Sequence, residues 1–340
     1  MMGEQGTRAA PAQPFGSVMA STMALAWSAD GAFDAFELGP VAPLPLHPAA
    51  HALHYGSACF EGLKAHRGVD GTLRLFRLAD HAERMRRSAA TLSLPVPDPA
   101  WLAEVVREVV AANAAEAPPP PGALYVRPTL LGVDANIGAA THPATEALLF
   151  VLCSPVGDYL ASGRALSLGV ETTLPRTTPQ FGAVKAAANY AMALAPTLRA
   201  REVDGVDQVL FAPGGLVQEA GPANFLLIDG GTLVTPPLDG SFLHGITRDS
   251  VLRLAATLGY TVEERPLSTE ELTRRAPGCE AALVGTAAVL GGVGRLVVGG
   301  EAITVGDGEI GPRTTELREA LVALQQGAAE DAFGWTEPVG

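Results

Sequence analysis

The sequence predicts an α+β fold divided between two domains, and three observations carry that reading. The chain has 340 residues, which at about 150 residues per domain is enough for two. Hydrophobic residues make up 48% and charged residues 17%, so sizeable cores can form. Strand-like and helix-like segments mix without the steady β-α-β alternation of a doubly wound sheet.

The elements follow in chain order. Residues 1–15 are rich in Ala, Gly, Pro and Gln and read as a disordered tail. From Ser17 to Phe76 the pattern is strand-like, with Met23–Trp27 first and Thr72–Phe76 alternating behind an Asp70-Gly71 turn. Asp80 reads as the cap of a helix reaching Leu92, because Ala82, Met85, Ala89 and Leu92 recur at three and four. A second helix runs from Pro99 to about Ala115 and is stopped by Pro118–Pro121; strands follow at Ala123–Leu131 and Ala147–Cys153. A connector over 157–164 then separates a small N-terminal domain, 16–156, from a large C-terminal one, 165–340. The large domain opens with a strand at Ala165–Thr172, a Pro/Thr/Gly loop at Pro175–Gly182 and a helix at Ala186–Arg201. Short strands are predicted at Gln208–Phe211, Asn224–Ile228 and Thr232–Val234, and helices at Arg248–Leu258 and Thr269–Arg275. Strands at Ala281–Val284 and Arg295–Val298 and a helix at Pro312–Gln325 complete it.

The net charge of −13 argues against a nucleic-acid or anionic-membrane partner, since such binders attract phosphate with basic patches. The densest apolar run, Ala147–Cys153, is far short of the ~20 residues of a membrane span. The N-terminus lacks a basic start followed by an apolar segment, so a cytoplasmic protein is expected. Cys59, Cys153 and Cys279 are widely spaced, with no C-x-x-C pair, and suggest neither disulfides nor zinc. The histidines lack helical ligand spacing with a carboxylate, and no metal site is expected.

Among 23 basic residues only Lys64 and Lys185 are lysines. Arginine cannot replace lysine where a neutral amine must attack a carbonyl, because guanidinium stays protonated. Lys64, leading toward a hairpin, reads as a surface cation with a snorkelling stem. Lys185 is crowded by small residues in Phe181-Gly-Ala-Val-Lys-Ala-Ala-Ala-Asn-Tyr190, which let a flat group approach. Glu219 stands just before an apolar strand, where a carboxylate needs a cationic partner. Gly245-Ile-Thr247 at a helix start and Gly285-Thr-Ala287 after a strand can each cradle an anion with backbone N–H groups. Walker A, G-x-G-x-x-G, G-x-S-x-G and H-E-x-x-H motifs are all missing. An amine, a phenol, a carboxylate and two anion cradles are the inventory that pyridoxal phosphate requires.

From about Phe15 to Trp335 the chain resembles the branched-chain amino acid aminotransferases, the fold type IV group of pyridoxal phosphate enzymes. The residues that carry the resemblance are Leu53-His-Tyr-Gly56, Phe60-Glu-Gly-Leu-Lys-Ala65, Arg74-Leu-Phe-Arg77, His81-x-x-Arg84-Met85 and Tyr125-Val-Arg-Pro-Thr129. Ser154-Pro-Val-Gly157, Lys185 with Asn189-Tyr190, Glu219, Gly245-Ile-Thr247 and Gly285-Thr-Ala287 continue it. The resemblance implies a cofactor between the two domains, bound covalently by Lys185, which also shuttles the proton. It implies Tyr190 at the ring hydroxyl, Glu219 at the ring nitrogen, and Arg84, Ile246, Thr247 and Thr286 around the phosphate. By its own pattern Arg84 reads with Arg86 and Arg87 as a solvated helix face, so only the motif singles it out.

For substrate, the resemblance implies Tyr55 and the Thr286-Ala287 turn at the α-carboxylate, and Arg127 with Tyr125 at the side-chain carboxylate of glutamate. Phe60 and Tyr159 are implied as walls of the apolar pocket. Tyr55 is implied to reach across from a second subunit of a homodimer. The implied activity is a ping-pong transamination between L-leucine, L-isoleucine or L-valine and 2-oxoglutarate. The alternatives are a D-amino acid transaminase, an aminodeoxychorismate lyase, or a transaminase for an unusual amino acid in specialised metabolism. The chain departs from the family at Thr178-Pro-Gln-Phe-Gly182, usually glycine-rich, and at Gly221-Pro-Ala223, usually hydroxyl-bearing.

Overall fold

The computed structural model describes residues 15–158 and 163–339. The tail expected over 1–15, apart from Phe15, lies outside the described residues, as do 159–162 of the expected connector, Tyr159 among them.

Two sheets organise the chain. The first holds β1 (Thr22–Trp27), β2 (Glu37–Pro40), β3 (Ala58–Phe60), β4 (Leu63–Arg67), β5 (Leu73–Phe76), β6 (Ala123–Gly132) and β7 (Ala147–Val156). The second holds β8 (Leu166–Glu171), β9 (Gln208–Phe211), β10 (Asn224–Asp229), β11 (Thr232–Thr235), β12 (Thr261–Glu264), β13 (Glu280–Gly285), β14 (Val289–Val298) and β15 (Glu301–Thr304). The last strand, β16 (Thr336–Val339), returns to the first sheet and pairs with β5. The first sheet runs β16-β5-β4-β6-β7-β1-β2, with β3 on β6, and is antiparallel; the second runs β12-β11-β10-β13-β14-β8-β9, with β15 on β14. Parallel pairs β8–β9, β8–β14 and β11–β12 make the second sheet mixed.

The helices are α1 (His51–Tyr55), α2 (Leu78–Thr91), α3 (Pro99–Ala112), α4 (Ala187–Asp204), α5 (Ile246–Thr257), α6 (Thr269–Arg275) and α7 (Pro312–Gln325). α2 and α3 bury Met85, Ala89, Val105 and Val109 against Leu63, Leu75, Leu124 and Val126 of the first sheet. In β10 the residues alternate between two cores: Leu226 and Ile228 meet Val251 of α5 and Leu321 of α7, while Phe225 and Leu227 meet Leu272 of α6. Covering both faces explains why this strand reads as a continuous apolar run.

Local chemistry corrects two predicted helix ends. Asp80 is not the cap of α2: the helix starts at Leu78 behind Arg77, which adopts φ 54°, and the Asp80 carboxylate accepts from Arg77 Nε at 2.7 Å. α3 begins as predicted, with Asp98 accepting from the Ala100 and Trp101 N–H groups and Pro99 at its first turn. It stops at Ala112, short of Ala115, because the Asn113 side chain takes the Val109 carbonyl at 2.7 Å and also binds both backbone groups of Thr22 in β1.

Candidate active site

The loop before α4 presents Lys185. Asn189 secures that loop, donating to the carbonyls of Phe181 and Val184 and accepting from Thr177 Oγ1. The lysine backbone is also clasped by the first half of the chain: its N–H donates to Ser88 Oγ of α2 at 3.1 Å, and its carbonyl accepts from the Phe60 N–H at 3.1 Å. Lys185 Nζ donates to the Tyr190 hydroxyl at 2.9 Å. Burial alone would raise the Tyr190 phenol, but the charges of Lys185 and Arg176 outweigh it and bring the group below its usual value.

Glu219 is buried in the same cavity. Its Oε1 lies 2.9 Å from Arg176 Nη1 and accepts from the Leu243 N–H at 3.0 Å, while Oε2 accepts from Asn224 Nδ2 at 3.1 Å. Arg176 is the cationic partner that a carboxylate in this position requires. Burial still lifts the Glu219 carboxyl to about 7, opposed by Arg176, so this is a site that a further positive charge would stabilise. Arg176 also donates to the Gly221 carbonyl at 2.7 Å and lies 5.2 Å from the Tyr190 ring centre, so one cation serves both side chains.

Arg84 is buried, at 5% exposure, which removes it from the solvated face that its neighbours suggested; Arg86 remains on that face, paired with Glu83. The Arg84 guanidinium is clamped on Glu61, Nε to Oε1 at 2.7 Å and Nη2 to Oε2 at 2.8 Å, and Nη1 donates to the His244 carbonyl at 3.0 Å. His81 Nδ1 lies 2.7 Å from Glu61 Oε2. Burial opposes ionisation of Glu61, but Arg84 and His81 overcome it and hold the carboxyl far below its usual range. Beside Arg84, α5 begins at Gly245 without a side-chain cap, so its first-turn N–H groups lack intrahelical acceptors. Arg77 braces that turn by donating to Asp249 and, at 3.0 Å, to Ser250 Oγ, which offsets the negative charge of Asp249. A side chain at Gly245 would place Cβ 2.0 Å from Asn224 Oδ1.

Arg84, Arg176, Lys185, Tyr190 and Glu219 line one cavity with Ile246, Thr247, Val284, Gly285 and Thr286. An amine and a phenol, a buried carboxylate with room for a proton, and an arginine beside a helix N-terminus fit pyridoxal phosphate. Beside the lysine, Phe60 lies 5.0 Å from Nζ, and the Arg127 guanidinium sits 4.4 Å from its ring. Arg127 Nη2 donates to the Tyr125 hydroxyl at 2.8 Å. Ala287 lines a neighbouring cavity with Pro222 and Ala223. Tyr55 does not line the cofactor cavity of its own chain; it is 36% exposed and donates to the Ile137 carbonyl.

The sequence model for class IV amino-transferases matches residues 58–294, more than half of the chain. The chain belongs to the class IV aminotransferases. Over 319 residues the aminotransferase is 37% identical to branched-chain-amino-acid aminotransferase 5, chloroplastic, of Arabidopsis thaliana, covering 92% of this chain and 75% of the relative. It is 38% identical over 316 residues to the branched-chain-amino-acid aminotransferase of Mycobacterium tuberculosis, covering 88% and 85%. Its fold is similar to the Escherichia coli branched-chain amino acid aminotransferase, with TM-score 0.77, 30% identity, and 93% and 99% of the two chains covered. The T.th. branched-chain amino acid aminotransferase with pyridoxamine 5'-phosphate gives TM-score 0.79 at 26% identity, covering 95% and 100%.

The expectation for Lys64 is overturned as well. Lys64 is not a surface cation: it is 7% exposed on β4, and its Nζ donates to the Ala287 carbonyl at 2.8 Å. Its strand leads into a covered sheet, which the hairpin signal alone did not reveal. Sequence reasoning also passed over Glu61 and Arg176 as site residues. The argument that a buried carboxylate needs a cation would have found Glu61, which sits in an apolar stretch as Glu219 does. Arg176 has no such signal, because its loop reads only as Pro and Thr punctuation.

Proposed function

We propose that this aminotransferase moves the amino group between L-leucine, L-isoleucine or L-valine and 2-oxoglutarate in a ping-pong cycle, yielding branched 2-oxo acids and L-glutamate. The observation that carries the proposal is the Lys185–Tyr190 contact in one cavity with the Arg176-paired Glu219, Arg84 and the α5 N-terminus. The names of the relatives supply the substrate class. Bound there, pyridoxal phosphate supplies an aldehyde for the amino group and an electron-withdrawing ring for the electron pair left at the α-carbon.

Lys185 takes the α-proton and returns it, and Tyr190 orients the amine through their hydrogen bond. Glu219, steadied by Arg176 and the Leu243 N–H, keeps a proton on the ring nitrogen. Arg84, held square by Glu61, and the groups of Ile246, Thr247 and Thr286 take the phosphate. Phe60 serves as a wall of the apolar pocket, a role the family resemblance also gives to Tyr159, which lies outside the described residues; Arg127 with Tyr125 meets the side-chain carboxylate of glutamate, and Thr286 with Ala287 takes the α-carboxylate. Tyr55, which does not line the cofactor cavity of its own chain, serves the second subunit of a homodimer.

Residues 16–156 and 165–340 act as small and large domains about the connector 157–164, with β16 crossing back to the first. Free, buried cysteines suit a reducing compartment and support a cytoplasmic setting. No helix of the described residues is long and apolar enough to cross a membrane.

Purified protein with pyridoxal phosphate is expected to turn yellow and to be bleached by L-leucine, while Lys185→Ala loses at least ~10³-fold in turnover. Bleaching by D-alanine but not by L-leucine would move the protein to the D-amino acid transaminases. Absence of colour would remove the cofactor reading.

A further inference from the structure

We infer that Lys64 and Arg318 are positioning residues that hold the 286–288 turn open to a substrate carboxylate from behind, a role resting on the transaminase reading above. The turn joins β13 to β14, whose last ladder pair is Gly285 with Val289. Val289 has φ 61°, a left-handed conformation that is unfavourable for a β-branched residue and persists only where surrounding contacts impose it. Two cations supply those contacts. Lys64 Nζ, reaching from the first sheet, donates to the Ala287 carbonyl at 2.8 Å. Arg318 Nη1, reaching from α7, donates to the Ala288 carbonyl at 2.5 Å and the Leu290 carbonyl at 3.1 Å, on both sides of the strained residue. Arg318 Nη2 also donates to Asp158 at 2.6 Å, at the edge of the interdomain connector.

Carbonyl oxygens repel a carboxylate, and here they are taken up by two cations that do not themselves line the cofactor cavity with Thr286. The turn itself offers an anion only a hydroxyl and neutral N–H groups. Positive charge behind it supplies the field that such donors lack. Burial and the neighbouring Arg318 lower the Lys64 ammonium to about 8, against the pull of Asp158, so it is still largely charged at neutral pH. Lys64 is also one of only two lysines in the chain.

The test titrates the pyridoxal phosphate-loaded enzyme, wild type, Lys64→Met and Arg318→Gln, with three probes. L-leucine carries amine and carboxylate, 4-methylvalerate only the carboxylate, and 3-methylbutylamine only the amine. Lys64→Met is expected to weaken L-leucine and 4-methylvalerate by roughly 10- to 100-fold, the loss of a charge-assisted hydrogen bond. Cofactor affinity and 3-methylbutylamine binding are expected to stay within about two-fold, KM for L-leucine to rise more than kcat falls, and Lys64→Arg to recover part of the loss. Arg318→Gln, on a partly exposed side chain, should give the same selective loss to a smaller degree and stands in if Lys64→Met fails to fold. Equal weakening of all three probes, or none, overturns the inference. A wild-type enzyme that binds 4-methylvalerate but does not react with L-leucine overturns the transaminase reading instead.

Discussion

Glu219 and Glu61 show how the same side chain, equally buried, is set to opposite ends of its range by its partners. Glu61 has Arg84 on both oxygens and His81 beside it, and is held fully ionised. Glu219 shares one oxygen with Arg176 and rises to about 7, which leaves it responsive to a cofactor. Glu219→Gln should lower kcat by ~10²–10³-fold with native folding, measured by steady-state kinetics beside circular dichroism. Glu61→Gln should cost about 3–5 kcal/mol in urea unfolding, because it strands the Arg84 charge in the core, and should weaken cofactor binding through Arg84. The pH dependence has a fixed sign. Glu61 titrates below its ordinary value of 4.5, so its contribution is complete above that pH and is lost as pH falls below it; the stability gap between wild type and variant should narrow under acid.

At the scale of elements, the loop before Lys185 is rigid for reasons a sequence shows only in part. Gly182 has ordinary helical angles, so space rather than conformation demands glycine: a Cβ there would lie 2.0 Å from the Ser241 carbonyl carbon. Gly182→Ala should destabilise by about 1–3 kcal/mol and reduce kcat, since the shift reaches Lys185 through Val184 and the Asn189 contacts; thermal melts and turnover would check it. Elements with internal periodicity, such as α2, α3, β6 and α7, were legible within a few residues. β12 and β15 were not, because Thr261–Glu264 and Glu301–Thr304 carry too few apolar residues to alternate visibly and are fixed by pairing with their neighbours.

For the whole molecule, Tyr55 belongs to an exposed patch with Leu53 and Ile137, and the proposed dimer gives that patch a purpose. Neither Lys185→Ala nor Tyr55→Ala is expected to be active alone. Mixed after dissociation, they should regain roughly a quarter of wild-type activity, since half the dimers are mixed and each holds one intact site. No recovery would place Tyr55 in its own chain's site. The three cysteines are all buried, with Cys59 and Cys153 raised by burial to about 12. A thiol reagent should therefore react with native protein only on the timescale of unfolding.

The sequence by itself determined the α+β character, the strands and helices with strong period, and the candidate cofactor set of Lys185, Tyr190 and Glu219. The elements follow from local pattern, and the candidate set from residue types that pyridoxal phosphate needs together, assigned to their places by the family resemblance. Tertiary structure alone decided which charged side chains are partners. Arg84 and Glu61 are 23 residues apart and Arg176 and Glu219 are 43 apart, and Lys64 meets a turn 223 residues away. No periodicity links such positions; the two sheets bring them together, and burial then makes each pairing obligatory.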